Sequence, residues 1–318
     1  MRAGPAVSVV MTAFNVAEFV GPAIDSALAQ TWRDFELIVV DDGSTDGTLE
    51  IARQIADPRV SVVALPHRGV SVQLQAAIEL ARAPYVAFLD GDDLWSPDKL
   101  ERHVEFLKAH PDADFTFSWS RIIDARGQDT GLTTRLWKGP ISFSELLADN
   151  VIGNGSATVL RRKALDAAGG IDSTLEACHD LDSWLRIALL RPRNLWAIPE
   201  YLTFYRRRLG QLTCDVPLMT RSFDRVIEKL RRLAPDEVAQ VEKQARSNME
   251  RFFAYGWYQS GQCGKSVRQM GRSFLRAPAL FIADSRNWLM SAAALAGLFL
   301  PSRLHRRLRP SPARASGA

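Results

Sequence analysis

The chain has 318 residues, 47% of them hydrophobic and 24% charged, with a net charge of +4, which suits an α/β domain large enough for a sizeable core plus one smaller unit. Its three cysteines, Cys178, Cys214 and Cys263, are odd in number and lack C-x-x-C spacing, which weighs against a disulfide framework and a structural zinc site. Residues 1–6 are too few and too mixed for a signal peptide, so the expectation is a chain that works in the cytoplasm.

In chain order, short apolar runs at 7–12, 35–41, 60–65 and 85–89 read as strands, with helical patterns around 19–29, 45–55 and 70–81 between them. That alternation predicts an α/β fold with a doubly wound, mostly parallel sheet and helices on both faces. A helix over 97–109 and a strand over 115–121 open a second half, and 124–140, rich in Gly, Thr and Asp, reads as a polar loop. From Pro217 onward only helices are expected, at 218–233, 235–258, 265–276 and 279–299. The aromatics Phe252, Phe253, Tyr255, Trp257 and Tyr258, followed by Gly261 and Gly264, predict a helix packed on its neighbour across a tight turn, like a tetratricopeptide hairpin.

Two of the strands end in acids. The run at 85–89 delivers Asp90, Asp92 and Asp93 around Gly91, and clustered like charges repel unless a divalent cation or hydroxyl donors offset them. A solvated acidic turn capping the next helix is the alternative. The run at 35–40 ends in Asp41 and Asp42, after which Gly43 permits positive φ and Ser44, Thr45 or Asp46 can cap a helix. The first strand ends at Thr12 and leads into Ala13, Phe14 and Asn15, small or polar residues suited to a close-lying ligand. Ligands of open parallel sheets bind outside the carboxyl ends of the strands, so three such ends predict one nucleotide-sized crevice. No G-x-G-x-x-G follows the first strand, which sets aside a dinucleotide oxidoreductase.

The stretches V-S-V-V-M-T-A-F-N at 7–15, S-A-L-A-Q-T-W-R-D-F-E-L-I-V-V-D-D-G-S-T-D-G-T at 26–48 and F-L-D-G-D-D-L-W-S-P-D-K-L at 88–100 resemble, in this order, the family 2 glycosyltransferases of the GT-A fold. The resemblance runs from residue 7 to about 213. It implies a nucleotide-sugar donor, Mn²⁺ or Mg²⁺, and inverting transfer to a hydroxyl of a cell-surface glycan or lipid-linked acceptor. Residues 1–215 would then be the transferase domain, with a nucleotide half at 1–110 and an acceptor half at 111–215; residues 216–300 would be a helical extension. The resemblance makes Asp92 the metal ligand, with Asp90 reaching the metal through water or binding the ribose beside Gly91. It makes Asp42 the acceptor for the N3 hydrogen of uracil, with Thr12, Ala13, Phe14 and Asn15 framing ring and ribose and Asp41 assisting or capping the turn. Uracil offers an N–H at N3 where cytosine offers a bare acceptor, which favours a UDP-sugar.

Residues 175–186, L-E-A-C-H-D-L-D-S-W-L-R, resemble the family's E-D-x-D-x-W-L-R segment, whose aspartate takes the acceptor proton; that role carries over to Asp180. His179 stands where the family has Glu, and His179 and Trp184 are expected near the acceptor or diphosphate. Residues 69–75 resemble G-V-S-x-A-R-N, but Leu74 and Gln75 replace Arg and Asn, so Arg68 is expected to compensate. Tyr205 to Arg208 resemble Y-R-x-H with Arg208 in place of a metal-binding His; Arg206 and Arg208 would pair with the diphosphate instead. These departures support a second expectation, a catalytically silent sugar-nucleotide-binding partner in a glycan assembly complex.

Residues 288–300 form a thirteen-residue apolar run, about 20 Å as a helix against a hydrocarbon core of about 30 Å, too short to span. Trp288 precedes it, and Arg303, Arg306, Arg307, Arg309 and Arg314 follow in a basic tail, 301–318, expected to be disordered. The combination predicts peripheral docking on the cytoplasmic face of an anionic inner membrane, and no nucleic-acid partner. A helix packed on the domain or on a partner subunit is the alternative.

Overall fold

The structure, a computed structural model, describes residues 4–208 and 210–299. Strands β1 (Val7–Ala13), β2 (Phe35–Asp41), β3 (Val60–Ala64) and β4 (Tyr85–Asp90) alternate with helices α1 (Ala17–Leu28), α2 (Thr48–Arg53) and α3 (Val70–Leu80). Then follow β5 (Leu94–Trp95), α4 (Lys99–Ala109), β6 (Phe115–Ile123), β7 (Asp129–Thr133), β8 (Gly139–Ile141) and α5 (Phe143–Ala148). After these come β9 (Thr158–Arg161), α6 (Arg162–Ala167), α7 (His179–Leu190) and β10 (Leu195–Arg206).

One sheet runs β3-β2-β1-β4-β9-β6-β10-β5, with β7 beside β6 and β8 beside β10. β1 is parallel to both β2 and β4, and β3 to β2. β1 and β2 are buried along nearly their whole length, as central parallel strands are. Ser8 and Glu36, polar residues inside those apolar runs, meet each other across the pair at 2.7 Å. The second half is mixed. β6 and β10 are parallel, but β9 enters antiparallel between β4 and β6, and β5, β7 and β8 are antiparallel to their neighbours. The expected polar loop at 124–140 holds β7 and β8. All but one residue of β7 is exposed, so this strand carries none of the apolar alternation by which a sequence announces a strand.

The chain divides into two compact units, the first made of residues up to Ile123, Gly127–Ser142 and Val151–Arg206. The second takes Asp124–Arg126, Phe143–Asn150 and the chain from Arg207 on. The helical unit thus starts before residue 216 and recruits α5, because Asn248 Nδ2 donates to the Ala148 carbonyl at 2.7 Å and Arg286 pairs with Asp149 at 2.8 Å.

Its helices are α8 (Val216–Leu233), α9 (Pro235–Gln259), α10 (Cys263–Arg276), α11 (Pro278–Ala283) and α12 (Ser285–Phe299). Asp215 caps α8 by accepting the Leu218 N–H at 2.9 Å, ahead of Pro217 in the first turn. α9 and α10 form the expected hairpin, turning at Gly261 with φ +83° and joined by Ser247 and Ser273 at 2.8 Å. Tyr258 packs in the small core with Met270, Phe281, Met290 and Ala294. The helix expected over 279–299 breaks at Asp284, whose carboxylate caps α12 through the Arg286 N–H at 3.0 Å and pairs with Arg251 at 2.9 Å. Among the described residues, no helix is long and apolar enough to cross a membrane. The basic tail lies outside the described residues.

Candidate active site

Both acidic turns are fastened to the carboxyl end of β1. Thr12 pairs in register with Asp90 and Ala13 with Asp41. Past the strands, the Ala13 carbonyl accepts the Asp42 N–H at 2.9 Å and the Thr12 carbonyl accepts the Gly91 N–H at 3.1 Å. A Cβ on Gly91 would lie 3.1 Å from the Thr12 carbonyl and 3.3 Å from the Ala13 methyl, so a glycine lets the turn close on the strand. Asn15, at φ 50°, clamps the other side: its N–H donates to Ser44 Oγ at 3.0 Å and its Oδ1 accepts the Thr45 N–H at 2.9 Å. Asn tolerates this left-handed conformation better than most residues.

In the upstream turn, Asp41 Oδ2 accepts the N–H groups of Gly43 and Ser44 at 3.1 and 3.0 Å. Its Oδ1 is buried with no partner among the described residues. Asp42 is heavily engaged. Its Oδ1 accepts the Arg68 N–H at 2.9 Å and the Gln73 amide, and its Oδ2 accepts the Gly69 N–H at 3.1 Å and pairs with His67 Nδ1 at 2.9 Å. The His67 ring stacks on Phe14, centroids 4.3 Å apart and planes 16° from parallel. Arg68 therefore reaches Asp42 through its backbone, while its neighbour His67 and Gln73 on α3 supply the side chains. Neither was singled out by the sequence. The available signal was Gln73, a polar residue where the family segment has Ala, one helical turn from Gly69.

The second turn is supported from behind. Asp93, fully buried, accepts Ser156 Oγ at 2.6 Å and the Arg206 N–H at 2.7 Å. Ser156 Oγ in turn accepts the Asp90 N–H at 3.0 Å. Arg206 was expected on a diphosphate; it is 4% exposed, donates from Nε to the Asp92 carbonyl at 2.7 Å and lies 4.9 Å over the Phe19 ring. Burial at the end of β10 makes it a support for the turn.

Burial pushes the Asp90 carboxyl up to about 7, with the charges of Asp92 and Asp180 adding to the rise. Asp93 is also driven well above the ordinary carboxylate value by burial and by Asp92 and Asp90. The donor chemistry fits a divalent cation: hard oxygen ligands carrying a repulsion that such an ion would relieve. Among the described residues no group of three His, Cys, Asp or Glu side chains is set to hold a metal, so Asp90 and Asp92 would be a partial shell.

Asp180 sits half-buried in the first turn of α7, close enough for its charge to act on Asp90. It follows Cys178, whose φ of 57° places a non-glycine residue in the left-handed region at the start of the helix. His179 Nδ1 is buried without a partner among the described residues, and burial lowers its pKa against the opposing pull of Asp180 and Asp182. A neutral imidazole thus stands beside Asp180 in place of a second carboxylate. Trp184, expected at the acceptor, is a core residue instead: it is 2% exposed and edge-on to Phe115 at 6.0 Å. It lies on the buried stripe Leu181, Trp184, Leu185 and Ala188, from which Asp180 is offset. Leu74 is buried too, and Gln75 accepts the Ile171 N–H at 3.0 Å. Arg208 falls in the second unit, where its N–H donates to Gln211 Oε1 at 3.2 Å.

Residues 8–169 match the model of glycosyl transferase family 2. The chain is 32% identical over 208 residues to a putative teichuronic acid biosynthesis glycosyltransferase, TuaG, of Bacillus subtilis, covering 64% of this chain and 79% of that one. Two further curated relatives are matched over 47% and 41% of their own length. Among solved structures, S. aureus TarS 1–349 in complex with UDP-GlcNAc aligns with a TM-score of 0.61 at 16% identity, covering 92% of this chain and 91% of that one. The mannosyltransferase PcManGT of Pyrobaculum calidifontis, in complex with GDP-Man and Mn²⁺, aligns at 0.56 with 19% identity over 95% and 83%. These likenesses show a GT-A type fold with a C-terminal helical region. The two acidic turns lie within the matched segment, and the chain belongs to glycosyl transferase family 2 and is a glycosyltransferase.

Proposed function

We propose that the protein transfers a sugar, with inversion, from a nucleoside diphosphate sugar to a hydroxyl of a glycan or lipid-linked acceptor. The observation that carries this is the convergence of two distant parts of the chain on one carboxyl: Asp180 at the start of α7 and Asp92 in the acidic turn both lie within electrostatic reach of Asp90. The UDP-GlcNAc and GDP-Man complexes of the structural neighbours support a nucleotide-sugar donor, and the polymer named for TuaG supports a glycan acceptor.

Asp42 and Asp41 read the base edge as acceptors, which favours uracil with its N3–H. Phe14, exposed beside them, offers a stacking face, with Thr12, Ala13 and Asn15 shaping the floor. Asp92, with Asp90 beside it, would hold Mn²⁺ or Mg²⁺, which supplies Lewis-acid stabilisation of the charge that grows on the departing diphosphate. Asp180 takes the proton of the attacking hydroxyl. Neutral His179 beside it adds no positive charge that would oppose this transfer. Leu74 and Gln75 have structural partners and remove none of these acids, so their substitution does not favour a silent binding protein.

The helical unit supports docking on an anionic membrane. Leu275, Leu289 and Phe299 are 78%, 75% and 85% exposed, and Lys265, Arg268 and Arg272 are exposed along α10. Exposed apolar and basic side chains suit peripheral binding at the cytoplasmic face, where a lipid-linked acceptor would be met.

The test is calorimetric titration of UDP, GDP and CDP with and without Mn²⁺, followed by donor hydrolysis without acceptor. UDP binding strengthened by Mn²⁺, with slow release of sugar, is the expected result. Nucleotide binding with no hydrolysis of any donor would favour the silent partner.

A further inference from the structure

His67 makes two contacts that a nucleobase would want for itself. Its ring lies flat on Phe14 at 4.3 Å, and its Nδ1 approaches Asp42 Oδ2 at 2.9 Å and the Asp42 carbonyl at 3.1 Å. A planar ring on the same aromatic face, presenting one N–H to the same carboxylate, is the outline of a pyrimidine with a protonated N3. Both sites are also full. Placing a base between the two rings needs a separation of about 7 Å, twice the carbon–carbon contact distance. Asp42 already receives the Arg68 and Gly69 N–H groups, the Gln73 amide and His67, filling the roughly four acceptor positions of a carboxylate.

Of these four donors only His67 can leave cheaply. Arg68 and Gly69 donate from the backbone, which is pinned by the Leu65 N–H to the Asp41 carbonyl at 3.0 Å. On the facing turn, Gly43 at φ +72° comes so near that a Cβ there would lie 2.9 Å from the His67 backbone nitrogen. Gln73 is fully buried and its amide is held a second time by the Pro66 carbonyl at 2.9 Å. The His67 side chain is 57% exposed and can rotate about its Cα–Cβ bond into solvent without moving the loop.

We propose that His67 is a built-in competitor for the nucleobase: it occupies the Phe14 face and one Asp42 oxygen until a uracil-type base displaces it. This rests on the nucleotide-sugar reading of the crevice. His67 thereby sets a threshold for donor binding. A ligand must supply both a stacking face and an N–H to replace what His67 gives up, and a phosphate-only ligand gains nothing from its departure.

The experiment is calorimetric titration of UDP, CDP and pyrophosphate in Mn²⁺ against the wild type, His67→Ala and His67→Phe, with thermal unfolding of each as a fold control. In His67→Ala the Kd for UDP is expected to fall by about 3- to 30-fold, the scale of one aromatic stack plus one exposed pair. Pyrophosphate should bind all three proteins equally. His67→Phe, which keeps the stack and loses the N–H, should fall between the wild type and His67→Ala. Equal or weaker UDP binding by His67→Ala, with pyrophosphate unchanged, would overturn the proposal and make His67 a platform for the base. If the wild type binds pyrophosphate but neither nucleotide, the nucleotide reading itself fails, and the His67 proposal falls with it.

Discussion

Arg206 and Asp92 are joined by a 2.7 Å hydrogen bond from the guanidinium Nε to the backbone carbonyl. The acidic turn is thus held by the end of β10, 114 residues away. Replacing Arg206 with Met removes this bond and the contact with Phe19 while retaining much of the volume. We expect a stability loss of about 2–3 kcal/mol, since a buried carbonyl loses a charged donor. Lys should not restore it, because an ammonium cannot both stack flat on Phe19 and reach the carbonyl as a planar fork. Urea unfolding of the Met and Lys variants checks both points; a Lys variant as stable as wild type would refute the geometric argument.

Asp92→Asn should abolish transfer without unfolding the protein, since the change is isosteric and sits on a turn. UDP affinity in Mn²⁺ should drop to the value measured in EDTA. Titrations in the two buffers decide it: an undiminished Mn²⁺ effect would move metal binding elsewhere.

Asp180→Asn should lower turnover by about 10²-fold or more with donor affinity retained, the pattern of a lost general base. His179→Ala is the control, because burial lowers the pKa of that ring and so weakens it as a base. Should turnover collapse in His179→Ala and survive in Asp180→Asn, the proton acceptor is His179.

Lys99 is fully buried beside His103 Nε2 at 3.2 Å and Ser118 Oγ at 3.3 Å. Burial holds its amine well below the ordinary 10.5. The unfolded chain therefore binds a proton there that the folded chain does not, and stability should rise with pH from neutrality up to about 10. The His103 ring, also depressed, loses its unfolded-state proton below this window. Lys99→Met should flatten the rise by up to about 1.4 kcal/mol per pH unit. Chemical denaturation at pH 7, 8.5 and 10 reads the slope, and an unchanged slope in the variant would mean that Lys99 is protonated in the fold.

Membrane docking is best tested by point changes, because Met290 and Ala294 of α12 are buried in the helical unit and deletion from Trp288 would open its core. Leu275→Glu with Leu289→Glu should keep the thermal transition and lose flotation with anionic vesicles. Wild-type flotation should weaken in high salt as the basic side chains are screened. Equal flotation of the double variant would leave this surface without a role at the membrane.

Much of the fold is written in local pattern. Short apolar runs rich in β-branched or aromatic residues located β1, β2 and β4, and acids at the ends of two of them marked the crevice, because strand propensity and turn chemistry act over a few neighbouring residues. The helical segment from Val216 was legible for the same reason, through its 3.6-residue periodicity. Only the tertiary structure decided which side chains serve those acids. Asp93 meets Arg206 across 113 residues, and Asp42 meets Gln73 across 31, and no local period encodes such pairings. Trp184 sat inside a recognisable motif, yet its direction depended on which face of α7 the sheet would cover. Nothing in the local sequence marks Lys99 at the start of α4, and only the packing of α4 against β6 and β10 makes it a buried amine. The sequence alone determined the parallel strands of the first half, the helices between them and the acids at the strand ends; the crossing of the chain through one mixed sheet determined the partners that orient those acids.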